Sequence, residues 1–236
     1  MSVSVSMPDA AMLRRLVAAL PAGWTVAPVD GQSADDIASF TVSKQANGFL
    51  IRDEQGFQST SRDEELTVWM LVAMLRRAVV AQHRDLTCVQ GSTVMYEGLG
   101  VLLTGPPLSG TSTLAQALVT AGAELCSDDL AMLDADGLLV PHRGFGSDRT
   151  IAGARVAVGL VALALYVPGA AWSPVRLTPG EAVVALLGHV AGVPESPAQT
   201  LATLRLALAH AEMLKGDRGG AGETAAALLE ALAGSR

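Results

Sequence analysis

The chemistry legible in this chain centres on Gly105, Ser109, Gly110, Thr111, Ser112 and Thr113, inside the stretch GLGVLLTGPPLSGTSTLAQALV. An apolar segment enters a loop of Gly, Pro, Ser and Thr, and the loop leaves into a segment of helical composition. An anion-binding loop needs that order. Successive backbone N–H groups curl around the anion, and the helix N-terminus adds roughly half a positive charge. Gly105 and Gly110 have the spacing of the glycines in G-x-x-x-x-G-K-[ST], and Ser112 stands where the hydroxyl that meets magnesium belongs. Thr111 stands where that motif has lysine. A threonine donates a hydrogen bond but brings no charge to the position that neutralises β and γ phosphates. In a chain with 24 glycines the bare pattern arises easily, and its strand-then-helix setting gives it meaning. The second feature is Ser127-Asp128-Asp129. Carboxylates at a strand end beside a phosphate loop can hold magnesium or take a hydroxyl proton, whereas one standing alone would only cap a turn.

The elements that must position these residues follow from apolar periodicity and turn chemistry. Residues 98–104 predict an apolar strand, 105–113 the loop, and 114–120 a helix. Residues 124–127 predict a strand that ends at Asp128 and Asp129, and 130–133 with 138–140 flank Asp134-Ala135-Asp136-Gly137 as a hairpin. Residues 87–96 read as a strand or strand pair, and the charge-free run 156–172 as buried core, since Pro168 and Gly169 interrupt it before it could span a membrane. Thr178 caps a helix over 179–190, and two further helices cover 198–214 and 223–232, separated by a flexible 216–222. Ahead of all this, residues 1–8 are small and polar. Asp9 caps a helix over 10–20, and residues 24–28 predict a short strand. Residues 39–43 and 48–52 form a hairpin around Asn47-Gly48, and 63–83 a long helix. Alternating β and α elements point to an α/β fold with a small N-terminal α+β lobe, divided as 1–84 and 85–236.

Length and composition agree. The chain has 236 residues, one large domain or two small ones at ~150 residues each. Half is hydrophobic and 17% charged, which excludes a disordered chain. The formal charge of −7 leaves no basic stripe, so nucleic acid is not an expected partner. Cys88 and Cys126 cannot build a disulfide framework or a cysteine-rich zinc site, and each reads as a small buried hydrophobe in a reduced, cytoplasmic setting. There is no basic-then-apolar leader at the start and no membrane association is expected.

The segment VQGSTVMYEGLGVLLTGPPLSGTSTLAQALVTAGAELCSDDLAMLDADG resembles the core of HPr kinase/phosphorylase and its relatives, including small serine-kinase-like proteins of peptide-modifying pathways. The likeness is clear over 85–137. It is looser in 40–83, which is similar to the front of the related kinases, and in LTPGEAVVALLGHV, which resembles their later helix. It implies a P-loop kinase domain of the HPr kinase and phosphoenolpyruvate carboxykinase type. It also implies ATP, magnesium and phosphoryl transfer to a serine or other hydroxyl of a protein, peptide or small molecule. Carried over residue by residue, it makes Asp128 and Asp129 the catalytic pair, and Ser112, Asp128 and Asp129 the magnesium ligands. Gly105, Ser109, Gly110, Thr111, Ser112 and Thr113 would meet the nucleotide. Two departures stand out: the family's Walker lysine falls on Thr111 and its strand histidine near Gln90.

The only lysines are Lys44 and Lys215, so a substitute cation would have to be arginine. Arg143, Arg149 and Arg155 lie in or just after the polar loop 141–150, which could close over a phosphate, Arg143 and Arg149 being the expected contacts. His83, His189 and His210 are scattered on helices without metal-ligand spacing. The residues therefore support a phosphotransferase of impaired activity. The other reading is a pseudokinase, a scaffold that binds a protein partner without phosphoryl transfer. The Ala-rich, apolar C-terminal helices suit a protein or peptide partner, or a homo-oligomer, under either reading.

Overall fold

The computed structural model describes residues 2–20, 26–27, 36–83, 85–106, 109–141, 155–191 and 196–234. The chain divides into two compact units, one within residues 1–83 and the other within 84–236. Among the described residues it is a mixed α/β chain with two mixed sheets and six helices.

The first unit begins with β1 (Ser2–Ser6) and α1 (Ala10–Ala19), followed by β2 (Asp36–Gln45), β3 (Gly48–Asp53), β4 (Gln58–Ser61) and α2 (Glu64–Val80). Asp9 caps α1, its carboxylate accepting the Met12 N–H at 2.9 Å. The sheet runs β1-β2-β3-β4, with β1 parallel to β2 and the other pairs antiparallel. Met12 and Leu16 of α1 and Leu71, Val72 and Leu75 of α2 bury against Phe40, Val42 and Ile51. The expected hairpin is β2 and β3. Two strands are additional. β1 alternates Ser2-Val3-Ser4-Val5-Ser6, a period of two that marks a strand in residues that otherwise read as a small polar start. Among residues 24–28, only Val26 and Ala27 are described, and they belong to no strand.

The second unit contains β5 (Thr87–Tyr96), β6 (Leu99–Thr104), α3 (Thr111–Thr120), β7 (Glu124–Leu133), β8 (Val158–Tyr166) and β9 (Val175–Arg176). It ends with α4 (Pro179–Leu187), α5 (Pro197–Ala207), β10 (Glu212–Arg218) and α6 (Ala221–Gly234). Its sheet has the order β7-β5-β6-β8-β10-β9. β6, β8 and β10 are parallel, so their carboxyl ends share one edge, while β5, β7 and β9 pair antiparallel with their neighbours. On one face Leu114, Ala115 and Leu118 of α3 and Ala225, Leu228 and Leu232 of α6 meet Val101, Leu103, Leu160 and Ala162. On the other, Ala182 and Leu186 of α4 and Leu204 of α5 meet Val89, Leu102, Ala131 and Val161. The apolar run beginning at Val156 is the buried centre of this sheet, as expected, and among the described residues no helix is long and apolar enough to cross a membrane.

Four expectations are corrected by the structure. The strand at Glu124 does not end at the aspartates. It continues to Leu133, because β5 offers a partner the whole way, with Ser92 opposite Asp128 and Gly91 opposite Asp129. The helix expected to reach residue 214 ends at Ala207, and residues 212–218 form β10 instead. Ala, Leu, Glu and Met favour helix locally, but seven residues of β10 pair in register with β8 and bury Met213 and Leu214, and that tertiary gain overrides propensity. Residues 216–222 are therefore not a flexible separator. They are the end of β10, a turn through Gly219, and the start of α6. His83, His189 and His210 lie just past the ends of α2, α4 and α5 rather than on them.

Candidate functional site

The loop between β6 and α3 is held at both ends. Thr104, wholly buried at the end of β6, donates its hydroxyl to the Gln90 carbonyl at 2.7 Å. The Ser109 N–H returns to the Pro106 carbonyl at 3.0 Å, and the Ser109 carbonyl accepts the Tyr166 N–H at 3.1 Å. Gly110 then starts α3 with φ of 78°, a left-handed conformation that glycine adopts without strain. Its carbonyl accepts the Leu114 N–H at 3.0 Å, and no side chain caps this end. The N–H groups of Thr111, Ser112 and Thr113 therefore have no partner inside the helix, as at any α-helix start. The Ser112 and Thr113 side chains are exposed and Thr111 is half-buried. Ser109 is 2% exposed, and its hydroxyl has no hydrogen-bond partner among the described residues. A Cβ on Gly105 would come to 2.6 Å from that hydroxyl, so glycine at 105 is what leaves it room. Pro107 and Leu108 are outside the described residues.

Asp128 reaches this region through the sheet. Ser92 lies between it and Leu103, opposite both, and the Ser92 hydroxyl donates to Asp128 Oδ1 at 2.7 Å. Ser92 and Asp128 thus share the sheet face that carries α3. At a strand spacing of ~4.8 Å, Asp128 stands two strands from Leu103, the residue before the one that ends β6. Asp129 is placed by its backbone opposite Gly91; its side chain lies outside the described residues. Gln90 is exposed, and its backbone N–H donates to the His189 carbonyl at 2.7 Å. Burial holds the His189 imidazole below its ordinary pKa, so the neutral ring is favoured there. Cys88, buried in β5, has its thiol pushed up to about 11, first by burial and then by the nearby Asp85 carboxylate. Among the described residues no group of three His, Cys, Asp or Glu side chains could hold a metal ion.

Of the candidate cations, Arg143 and Arg149 lie outside the described residues. Arg155 is committed elsewhere: it pairs at 3.0 Å with Asp134, whose buried carboxylate also accepts the Asp136 and Leu138 N–H groups and so ties down the hairpin turn. The cation beside the loop is Arg218, at the end of β10. It is 2% exposed, and its Nη2 donates to the Gly110 carbonyl at 2.7 Å and to the Ser109 carbonyl at 3.5 Å. Its Nη1 donates to the Gly219 carbonyl at 3.2 Å, and its guanidinium carbon lies 5.5 Å from the centre of the Tyr166 ring. A Cβ at Gly110 would run into Nη2. Reading residues 216–222 as a flexible linker hid this arginine. The signal was present in the sequence as KGDRGGAGET followed by an Ala/Leu-rich segment, a second strand, glycine turn and helix. Gly110, Thr113, Tyr166, Arg218, Gly220 and Glu223 line a cavity of about 870 Å³ at this edge of the sheet.

No protein-family model matches the sequence, and no curated protein does. In structure the chain is similar to the Hpr(Ser) kinase/phosphatase from Coxiella burnetii, with 16% sequence identity and a TM-score of 0.33, over 61% of this chain and 94% of that one.

Proposed function

We propose that the second unit binds a nucleoside triphosphate, ATP by the family resemblance, on the loop from Gly105 to Thr113, and that phosphoryl transfer from it is slow. The observation that supports binding is the start of α3: an uncapped helix preceded by a left-handed glycine, with a buried, unpartnered Ser109 hydroxyl in the same loop. Backbone donors without partners at a helix start fit an anion. Ser112 and Asp128 would hold magnesium, which supplies further neutralisation of phosphate charge. A magnesium ion bound this way takes one or two protein ligands, phosphate oxygens and water, so it needs no cluster of three side-chain carboxylates. Asp128 is the base best placed for an acceptor hydroxyl, with Ser92 holding its carboxylate in position.

The slow step follows from Thr111. A cation at the transferring phosphoryl group stabilises charge that develops in the transition state, and its loss lowers rate by orders of magnitude. The acceptor proposed is a hydroxyl of a protein or peptide. The test is calorimetric titration of the purified chain with ATP, with and without magnesium, followed by a single-turnover assay with labelled ATP. Micromolar, magnesium-dependent binding with transfer that Thr111→Lys accelerates is expected. No binding at millimolar ATP would overturn the reading.

A further inference from the structure

Arg218 poses a problem that the rest of the fold does not answer. A guanidinium taken out of water needs a counter-charge, because burying an unpaired ion is far more costly than burying an ion pair. Among the described residues no carboxylate pairs with Arg218. Glu223 lines the same cavity without forming an ion pair with it. The partners it has are neutral: three backbone carbonyls and the face of Tyr166. Its Nε, buried, has no hydrogen-bond partner at all among the described residues. Carbonyls and a ring satisfy donors but do not cancel charge. The net positive charge stays beside the Gly110 backbone, one hydrogen bond from the residue that opens α3. Burial correspondingly lowers the pKa of Arg218 from its ordinary value.

The surroundings of this charge are arranged for an anion. β6, β8 and β10 end on the same edge of the sheet. Two of them run through a glycine turn into a helix, α3 after β6 and α6 after β10. Both helices lie on one face, so their N-termini open toward the same edge and add their partial positive charges there. Gly219 and Gly220 turn into α6 and Gly222 lies in its first turn, so much of the lining on this side is backbone, together with Ala221 and Glu223.

We infer that Arg218 is the cation that replaces the missing Walker lysine: it supplies, from β10 and from behind the loop, the positive charge that holds the phosphates of a ligand at the starts of α3 and α6. This rests on the phosphate-loop reading and adds to it the residue and the direction from which charge comes. Arg218 acts through the loop backbone, so it is a positioning and electrostatic residue. It does not reach forward to a transferring phosphoryl group as a lysine at 111 would. Binding is retained by this device while fast transfer is not.

The probe is inorganic tripolyphosphate, which carries the charge without a base or sugar, titrated calorimetrically into the whole chain at several salt concentrations. Arg218→Gln keeps a hydrogen-bond donor and removes the charge. It should weaken tripolyphosphate binding about ten-fold and flatten its salt dependence, as loss of one charge contact does. Thr111→Lys should raise affinity by a larger factor in Arg218→Gln than in the wild-type chain, a non-additive rescue that a purely structural role for Arg218 would not give. Glu223→Lys changes an exposed side chain at the rim of the same cavity, and should tighten binding severalfold in a chain whose fold is undisturbed. Failure of the wild-type chain to bind tripolyphosphate at millimolar concentration would overturn the phosphate-loop reading and this inference with it. Wild-type tripolyphosphate binding whose affinity and salt dependence a folded Arg218→Gln leaves unchanged would overturn the role of Arg218 alone, whatever Glu223→Lys does.

Discussion

At the scale of single residues, charge and hydrogen bonding at the loop come from different side chains. Thr111 can donate but not neutralise, and Arg218 neutralises but sits behind the loop. Thr111→Lys is therefore expected to strengthen ATP binding by several-fold and to raise single-turnover transfer by a larger factor, because the new cation faces the transferring group. Equal effects on both would mean that the side chain at 111 meets the bound phosphates without favouring the transferring group. Asp128→Asn should abolish transfer and also weaken magnesium-dependent ATP binding, since the carboxylate proposed as base is also proposed to hold magnesium, while binding in excess chelator stays within about three-fold. A fully active Asp128→Asn would remove Asp128 from the mechanism. Cys88 gives an independent check on the sheet. With its thiol held up to about 11 and buried in β5, it should resist iodoacetamide at pH 8 in the native chain and react once the chain is unfolded. Modification at the rate of an exposed thiol would place Cys88 outside the core. The loop residues from Gly105 to Thr113 were legible in the sequence because glycine and hydroxyl spacing is local information. Arg218 was not, because its significance depends on β10 lying two strands from β6, which no local pattern states.

At the scale of elements, Gly110 is the joint on which the loop turns. Gly110→Ala would face a left-handed φ and a collision with Arg218, and is expected to lower stability by about 1–3 kcal/mol. Thermal unfolding measures it, and an unchanged midpoint would mean the loop adopts another path. At the start of α4 the Thr178 and Glu181 side chains form a capping box, each satisfying the other's backbone N–H. Thr178→Ala should destabilise by about 1 kcal/mol. The hydrogen bonds from the Thr178 N–H and hydroxyl hold the Glu181 carboxyl below its ordinary pKa. A group depressed in the folded state contributes above its unfolded pKa and loses that contribution as pH falls through the folded one. The effect of Thr178→Ala should accordingly shrink in acid, below the usual glutamate range. α4 was visible in the sequence from its cap, and α3 and α6 from their helical composition. β10 was not, because Ala, Leu, Glu and Met spell helix until pairing with β8 is taken into account. The aspartates stood out by type, but the strand continuing through them depends on β5, a partner distant in sequence.

At the scale of the whole molecule, the chain has two units with separate cores, one built on Leu71 and Ile51 and the other on the sheet through β6, β8 and β10. All residues proposed to meet the nucleotide belong to the second. A ligand that binds only one folded unit stabilises that unit by mass action. Differential scanning calorimetry should therefore resolve two transitions, with ATP and magnesium raising one and leaving the other in place. A single transition that moves as a whole would contradict this division of labour. The broad α/β organisation was readable from alternating strand and helix signals, and the parallel order of β6, β8 and β10, on which the site depends, came only from the folded sheet.

The proposed function stands on the loop from Gly105 to Thr113 holding a triphosphate with threonine, not lysine, at position 111. The most direct measurement is isothermal titration of the intact chain with ATP, in magnesium and in excess chelator. Micromolar binding with magnesium and clearly weaker binding without it are expected. Heat signals indistinguishable from dilution at millimolar ATP under both conditions would contradict the proposed function.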